Sequence, residues 1–110
     1  MDHYYHRSHL PRFGEIAEGN QELADAFFTY YNKVFEEGAL TAREKALIAL
    51  AVANTVQCPY CIDAYTTACL ETGSDLEQMT EAVHVATAIR GGAALVHGVQ
   101  MLDQVKRLTM

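Results

Sequence analysis

The sequence predicts an all-α fold, a helical bundle of about five helices. Apolar residues recur at intervals of three and four along most of the chain, and no stretch shows the alternation of a half-buried strand. Two capping-box patterns mark helix starts, at Thr41-Ala42-Arg43-Glu44 and at Ser74-Asp75-Leu76-Glu77. Because the chain has 110 residues, of which half are hydrophobic, it is expected to form one domain.

The first half of the chain divides into an arm and two helices. Residues 1–19 contain one proline and two glycines without sustained periodicity, which predicts an irregular N-terminal arm preceding a helical domain over 20–110. Asn20 is a suitable cap for a helix that ends near Glu36. The first capping box opens an apolar helix through about Val56, which is expected to lie centrally.

The second half predicts three further helices. One begins at Cys58 and ends near Gly73, and the next begins at the second capping box. The pair Gly91-Gly92 is expected to break that helix, since glycine is unfavourable in a helix interior. A last helix over about 93–106 is then expected to face the core with three residues, Leu95, Val99 and Leu102.

Charge and hydropathy exclude several classes of function. The formal net charge is −6 and no basic patch is present, which argues against nucleic-acid binding. No apolar run approaches the roughly 20 residues of a membrane span. The first residues show no secretory signal, so a cytoplasmic location is expected. The small size predicts a homo-oligomer, and no cofactor is indicated.

The motif Cys58-Pro59-Tyr60-Cys61 carries the most chemical information. Proline suits the first helical position, which places Cys58 at the helix N-cap and Cys61 in the first turn. Free N–H groups and the helix dipole favour a thiolate there, and the thiolate is the reactive form of cysteine. The motif therefore predicts a reversible disulfide between the two cysteines and thiol redox chemistry.

Two other interpretations of the motif remain open. The cysteines could be a buried structural pair, or half of a zinc site, although the chain offers no second CxxC and no HxxxH. No metal is predicted. Cys69 lies eight residues beyond Cys61, about 12 Å along a helix axis and beyond disulfide reach. It is expected to be a small core residue.

Residues 40–98 resemble the carboxymuconolactone decarboxylase-like superfamily, and more narrowly its alkylhydroperoxidase D-like branch. The resemblance lies in the order of three segments, LTAREKALIALAV at 40–52, CPYC at 58–61 and GGAA at 91–94. It implies homo-oligomers, often trimers or hexamers, and cysteine-dependent peroxidase or disulfide-reductase activity with a dithiol reductant protein as partner. It also implies that Cys61 attacks the peroxide and Cys58 resolves, whereas the helix start alone favours Cys58 as the more exposed thiol.

The chain departs from that branch at two positions. The branch usually has a glutamate twelve residues before the first cysteine and a histidine four after the second, and these positions hold Ala46 and Tyr65. Glu44 is expected to serve the capping box instead. Tyr65 can donate a hydrogen bond but is a poor base, and His84 is the best single candidate to supply one, with His97 as a further candidate, from a neighbouring helix or subunit.

In lacking the usual glutamate and histidine, the chain resembles a narrower subgroup, the peroxidase-like proteins associated with arsenosugar biosynthesis. The matching segments are FEEGALT at 35–41 and QCPYCIDAY at 57–65. This resemblance implies that the thiols handle an arsenic compound as well as, or instead of, a peroxide, since trivalent arsenic is a soft partner for paired thiolates.

The remaining histidines and aromatic residues receive structural interpretations. His3, His6 and His9 are spaced by three, but the proline and glycine that follow argue against one helix presenting all three to a metal. Phe27, Phe28, Tyr30, Tyr31 and Phe35 are expected in the core or a subunit interface.

The sequence thus predicts a thiol oxidoreductase, peroxidase-like, with candidate catalytic residues Cys58, Cys61, Tyr65 and His84. Its substrate would be a peroxide or a small thiol-reactive compound. The alternatives are a dithiol module that binds arsenite or another soft species, and a non-catalytic oligomeric scaffold.

Overall fold

A computed structural model describes residues 5–110, which form a 3₁₀ segment and four α-helices without a strand in that range. The 3₁₀ segment spans Arg7–Glu18. It is followed by α1 (Gln21–Phe35), α2 (Ala42–Val56), α3 (Pro59–Glu71) and α4 (Leu76–Thr109). The predicted all-α fold is confirmed. No helix within residues 5–110 is long and apolar enough to cross a membrane.

The helix starts follow the caps that the sequence indicates. The Asn20 side chain accepts a hydrogen bond from the Leu23 N–H, and Thr41 and Glu44 form a reciprocal capping box. The second box differs by one residue from the predicted pattern, because Asp75 is the cap and Gln78 is its partner. Each cap satisfies N–H groups that have no partner inside the helix.

The core is small and lies between α2, α3 and α4. It is built around Ala46 and Leu50 of α2, Cys69 of α3 and Met79 of α4. Cys69 is completely buried, which confirms the expectation that it is a core residue. Helix α2 packs against both α3 and α4, and α1 packs against the 3₁₀ segment. The predicted central position of α2 is confirmed.

The N-terminal arm is more ordered than predicted. Instead of an irregular arm, residues 7–18 form 3₁₀ turns that include Pro11. The fixed φ of proline is compatible with such turns, and ring contacts at 5.1 and 6.3 Å join Phe13 to Phe28 and Phe27 of α1. Packing against α1 supplies the order that the sequence pattern does not show.

The last two predicted helices are one continuous helix of 34 residues. The predicted break at Gly91-Gly92 is wrong, because both glycines lie inside α4 and neither has a positive φ. A glycine inside a helix destabilises it by about 1 kcal/mol relative to alanine. This cost is too small to end a helix whose flanking residues are good helix formers.

The second half of α4 extends away from the rest of the chain. The three residues predicted to face the core are exposed by 50–80 %, namely Leu95, Val99 and Leu102, so that prediction is wrong for the single chain. The radius of gyration is 18.9 Å, against about 13 Å for a compact domain of this length. A substantial apolar surface therefore lies along the end of α4.

Candidate active site

The turn between α2 and α3 places the two cysteines. Gln57, the C-cap of α2, adopts a left-handed conformation with φ of 58°, which reverses the chain directly before Cys58. Cys58 is the N-cap of α3 and Pro59 follows at the first helical position. The Cys58 sulfur accepts a hydrogen bond from the Cys61 N–H at 3.3 Å. The predicted helix start is confirmed, and both thiols are free.

The two thiols differ electrostatically. Burial, together with the hydrogen bond and the negative charge of Cys58, raises the pKa of Cys61 to about 11. The Cys58 sulfur instead receives an N–H donor at the positive end of a helix dipole. The Cys58 sulfur therefore has a hydrogen-bond donor at a helix start, whereas the surroundings of the Cys61 sulfur disfavour negative charge.

Both cysteines line a cavity of about 340 Å³ between the 3₁₀ segment, α1 and α3. Its other lining residues are His9, Leu10, Phe13, Tyr31, Tyr60, Ala64 and Tyr65. A second cavity, of about 420 Å³ between α1 and α2, shares Tyr31, Cys61 and Tyr65 with the first. We call the first cavity the thiol pocket. Its surface is mostly apolar, so it suits a small substrate with organic groups.

The two positions at which the resemblance leads one to expect an acid and a base are packed as core. Ala46 is 4 % exposed and belongs to the core cluster. Tyr65 packs against the same cluster. The Tyr65 ring stacks on Phe35, with ring centroids 5.2 Å apart and planes inclined by 19°. An aromatic stack and a buried methyl group thus stand where a proton relay would be.

Glu44 does not take over the role of the missing acid. Its carboxylate accepts a hydrogen bond from the Thr41 N–H at 2.9 Å, and its own N–H donates to the Thr41 hydroxyl at 3.1 Å. These bonds to Thr41 lower the pKa of the exposed Glu44 carboxyl. The predicted capping role is confirmed.

The structure brings three of the four predicted site residues together. Cys58, Cys61 and Tyr65 share the thiol pocket, whereas His84 lies on α4 and lines neither cavity that contains Cys61. His97 also lies on α4, with its Nδ1 2.7 Å from the Ala93 carbonyl oxygen. Within one chain, neither histidine lines the thiol pocket.

The N-terminal histidines do not form a described metal site. His3 lies outside the described residues, and the rings of His6 and His9 are 5.0 Å apart. Among residues 5–110, no three side chains of the types that bind metals are grouped together.

Sequence reasoning missed two polar residues of the pocket. Tyr31 is predicted as a core or interface residue, yet it faces the thiols. Burial raises its pKa, and so do the charges of Cys61 and Cys58. His9 approaches from the 3₁₀ segment, with Nδ1 3.5 Å from the Tyr60 hydroxyl. No sequence signal links His9 to residues that lie about fifty positions later in the chain.

Comparisons with known proteins agree with this fold. The chain is 39 % identical over 95 residues to "Uncharacterized protein 4 in cox locus" of Paracoccus denitrificans, covering 84 % of this chain and 86 % of that protein. It is also similar to a crystal structure of a protein from Methanobacterium thermoautotrophicum, with a TM-score of 0.74, 34 % identity, and coverage of 78 % of this chain and 97 % of that one. Residues 21–104, which include α1, α2 and α3 and most of α4, match the carboxymuconolactone decarboxylase family. The chain therefore belongs to the carboxymuconolactone decarboxylase family.

Proposed function

We propose that the protein is a thiol oxidoreductase of the alkylhydroperoxidase D-like branch, which reduces a peroxide or a disulfide through a cycle between Cys58 and Cys61. The observation that carries this proposal is the N-cap geometry, in which the Cys58 sulfur accepts the Cys61 N–H at 3.3 Å. Both free thiols line the same cavity, so one substrate can meet them in turn.

The electrostatics favour Cys58 as the thiol that attacks first. Its charge is stabilised at the helix start, whereas the pKa of Cys61 is raised to about 11. Cys61 then resolves, by attacking the Cys58 sulfur and closing the disulfide. This order reverses the one that the family resemblance implies. A dithiol protein is proposed to return the disulfide to two thiols.

Peroxide consumption with a dithiol reductant tests the proposal. We expect activity in the wild type and a loss of more than about 10³-fold in both Cys58→Ser and Cys61→Ser. Cys69→Ala is the matched control, because Cys69 is buried in the core cluster away from the pocket. Equal activity in the two serine variants and the wild type would contradict the thiol mechanism.

Mass spectrometry tests the disulfide itself. The tryptic peptide over 46–90 contains all three cysteines. Oxidation should remove two hydrogens from it, in the wild type and in Cys69→Ala alike, and a dithiol should restore them. A link that involves Cys69 would contradict the proposed pairing.

A second function is favoured by the packing of Ala46 and Tyr65. Ala46 and Tyr65 do not form an acid–base pair that could transfer protons during peroxide reduction. Binding of arsenite or another soft species by the paired thiols needs no such pair, and the resemblance to the arsenosugar-associated subgroup points to the same function. Tight arsenite binding that is lost in either cysteine variant, without peroxide turnover in the wild type, would favour it. Absence of both properties would leave a non-catalytic scaffold.

The proposal includes a homo-oligomer, a trimer or hexamer by the family resemblance. It is supported by the exposed apolar residues along the end of α4, among them Leu95, Val96 and Leu108 at 80, 64 and 74 %. An oligomer could also bring His84 of another subunit toward a thiol pocket. Sedimentation at micromolar concentration tests this, and a monomer of 12.2 kDa would contradict it.

A further inference from the structure

The 3₁₀ segment brings an imidazole to the thiol pocket. His9 lines the pocket together with both cysteines, and no other histidine among residues 5–110 does so. Its Nδ1 lies 3.5 Å from the hydroxyl of Tyr60, the residue between Pro59 and Cys61 in the motif. This contact joins the segment to the same helix turn that carries the thiols.

Contacts on both sides of His9 hold the segment in place. Arg7 donates two hydrogen bonds to the Asp63 carboxylate, at 2.9 and 3.1 Å. Tyr5 packs edge-on against Tyr60, with ring centroids 4.8 Å apart, and Phe13 packs on α1. The segment lies outside residues 21–104, the part of the chain that matches the family model.

The proposed cycle needs a base for Cys61. With its pKa raised to about 11, this thiol is protonated near neutral pH and is a poor nucleophile until it loses a proton. The residues at the relay positions, Ala46 and Tyr65, are packed in and against the core cluster. A base must therefore come from another wall of the pocket.

The other titratable groups around His9 do not fit this role. Tyr31 is a poor base because a phenol holds its proton near neutrality, and burial, followed by the charges of Cys61 and Cys58, raises its pKa further. Arg7 and Asp63 form an ion pair with each other, and His6 touches His9 from outside the pocket. Imidazole is the side chain whose charge changes between about pH 5 and 8.

We propose that His9 is the general acid–base of the thiol pocket, a role that rests on the proposed disulfide cycle, and that Tyr60 is its positioning residue. In the tautomer with Nδ1–H donating to the Tyr60 oxygen, Nε2 keeps a free lone pair. Nε2 is then able to accept the proton of Cys61. The separation of 3.5 Å is at the long limit for a hydrogen bond, as is common for catalytic contacts before substrate binds.

The proton balance of the cycle is closed. The Cys58 thiolate attacks a peroxide oxygen, the O–O bond breaks, and the leaving alkoxide takes a proton from the His9 imidazolium, which gives Cys58 sulfenic acid and an alcohol. His9 then takes the Cys61 proton as the Cys61 sulfur attacks Cys58. The departing hydroxide receives that proton as water. A dithiol later reduces the disulfide to two thiols, and the Cys58 thiol then gives its proton to His9, which restores the thiolate and the imidazolium.

A disulfide probe tests His9 independently of peroxide. One equivalent of 5,5′-dithiobis(2-nitrobenzoate) should react with Cys58 and release one thionitrobenzoate. Attack by Cys61 on the resulting mixed disulfide should release a second one in a slower phase. We expect His9→Gln to slow the second phase about 100-fold near neutral pH, because general-base help is typically worth 10²–10⁴-fold.

His6→Gln is the matched control, since His6 lies next to the same segment but does not line the pocket. It should leave the second phase within about twofold of the wild type, as an exposed substitution outside the site does. Tyr60→Phe should slow the phase about threefold to tenfold, since the lost hydrogen bond only orients the ring. The adduct trapped in His9→Gln should be on Cys58.

Two measurements distinguish a role of His9 in proton transfer from a purely structural role. In His9→Gln the rate of the second phase should rise with pH toward the Cys61 pKa of about 11, whereas in the wild type the second phase should already be fast near neutral pH. Added imidazole should restore the second phase in His9→Ala. Equal second phases in the wild type and His9→Gln, a loss that imidazole does not rescue, or an adduct on Cys61 would overturn the proposal.

The same experiment separates this inference from the proposed function. A two-phase release that depends on His9, in a protein that does not consume peroxide, would remove the peroxidase activity and keep His9 as the base for disulfide formation. Peroxide turnover with a second phase independent of His9 would remove only the role of His9.

Discussion

The two walls of the thiol pocket are built from different chemistry. One wall, formed by α1 and α3, presents the aromatic residues Tyr31 and Tyr65, with Phe35 stacked behind Tyr65. The other wall, formed by the 3₁₀ segment, is tied to α3 by an ion pair and by the contact between His9 and Tyr60. The aromatic wall can only disfavour charge, by excluding water, whereas the wall formed by the segment can exchange protons. Under the role proposed for His9, proton transfer takes place at the segment and not at positions 46 and 65.

The largest expected effect comes from placing an acid at position 46, in the core cluster against which Tyr65 of the aromatic wall packs. Ala46→Glu would bury an unpaired carboxylate at a position that is 4 % exposed, and should lower the free energy of unfolding by about 3–5 kcal/mol. Urea denaturation measures this change. Ala26→Glu, at an exposed position of α1, is the matched control and should change stability by less than about 0.5 kcal/mol.

The double variant Ala46→Glu/Tyr65→His sharpens the same test. If the two positions face each other as the core cluster indicates, a new ion pair should recover at least about 1 kcal/mol of the loss. Additive effects of the two substitutions would show that the two side chains do not interact, and would contradict the expectation that positions 46 and 65 face each other.

The caps of the helices can be predicted from sequence because their signals are local. Asn20, Thr41 and Cys58 each act within a few residues, so the sequence alone identifies them as caps. The predicted break at Gly91 is wrong for a related reason, since a local preference of about 1 kcal/mol competes with the whole helix.

The wall formed by the segment could not be predicted, because it depends on contacts between distant residues. Arg7 meets Asp63 across 56 positions and His9 meets Tyr60 across 51. Such pairs have no spacing rule, and an arm with proline and glycine shows no periodic pattern that would place it. The position of the end of α4 could not be predicted either, since its apolar residues indicate burial but do not indicate what covers them.

The next effect concerns the order in which the thiols ionise. Because the pKa of Cys61 is about 11, its alkylation by iodoacetamide should rise about tenfold per pH unit from neutrality to about pH 10. In Cys58→Ala, which removes both the hydrogen bond and the charge of Cys58, two of the three causes of the shift disappear, so the midpoint should fall toward 9.0 while burial keeps it above that value. An unchanged midpoint would contradict the coupling between the thiols.

The raised pKa of Cys61 also determines whether the free energy of unfolding rises or falls with pH. The folded chain holds the Cys61 proton up to about pH 11, whereas the unfolded chain releases it near 9.0. Between these values the unfolded state binds fewer protons, so the contribution of Cys61 to stability is complete below 9.0 and is lost as the pH rises to about 11. Urea denaturation of the wild type and of Cys61→Ala over this range should show a smaller decline in the variant.

A smaller effect is expected from loosening the segment. Arg7→Ala removes the ion pair with Asp63, and an exposed ion pair stabilises only weakly, so alkylation of the pocket thiols should accelerate by at most about fivefold. Arg12→Ala is the matched control. It removes an ion pair with Glu15 inside the segment, at 2.8 Å, without touching α3. Equal acceleration in both variants would show that the pair with Asp63 does not hold the wall.

The smallest effect is expected at Tyr65, and it contrasts the two walls within a single helix. Tyr65→Phe keeps the ring that stacks on Phe35 at 5.2 Å, so peroxide turnover and disulfide closure should stay within about twofold of the wild type. Tyr60→Phe, on the same helix, removes the hydroxyl that meets His9 and should slow disulfide closure more. If Tyr65→Phe is slowed as much as Tyr60→Phe, or more, the Tyr65 hydroxyl takes part in proton transfer. The aromatic wall would then be reactive, in agreement with the sequence pattern that places Tyr65 among the candidate catalytic residues.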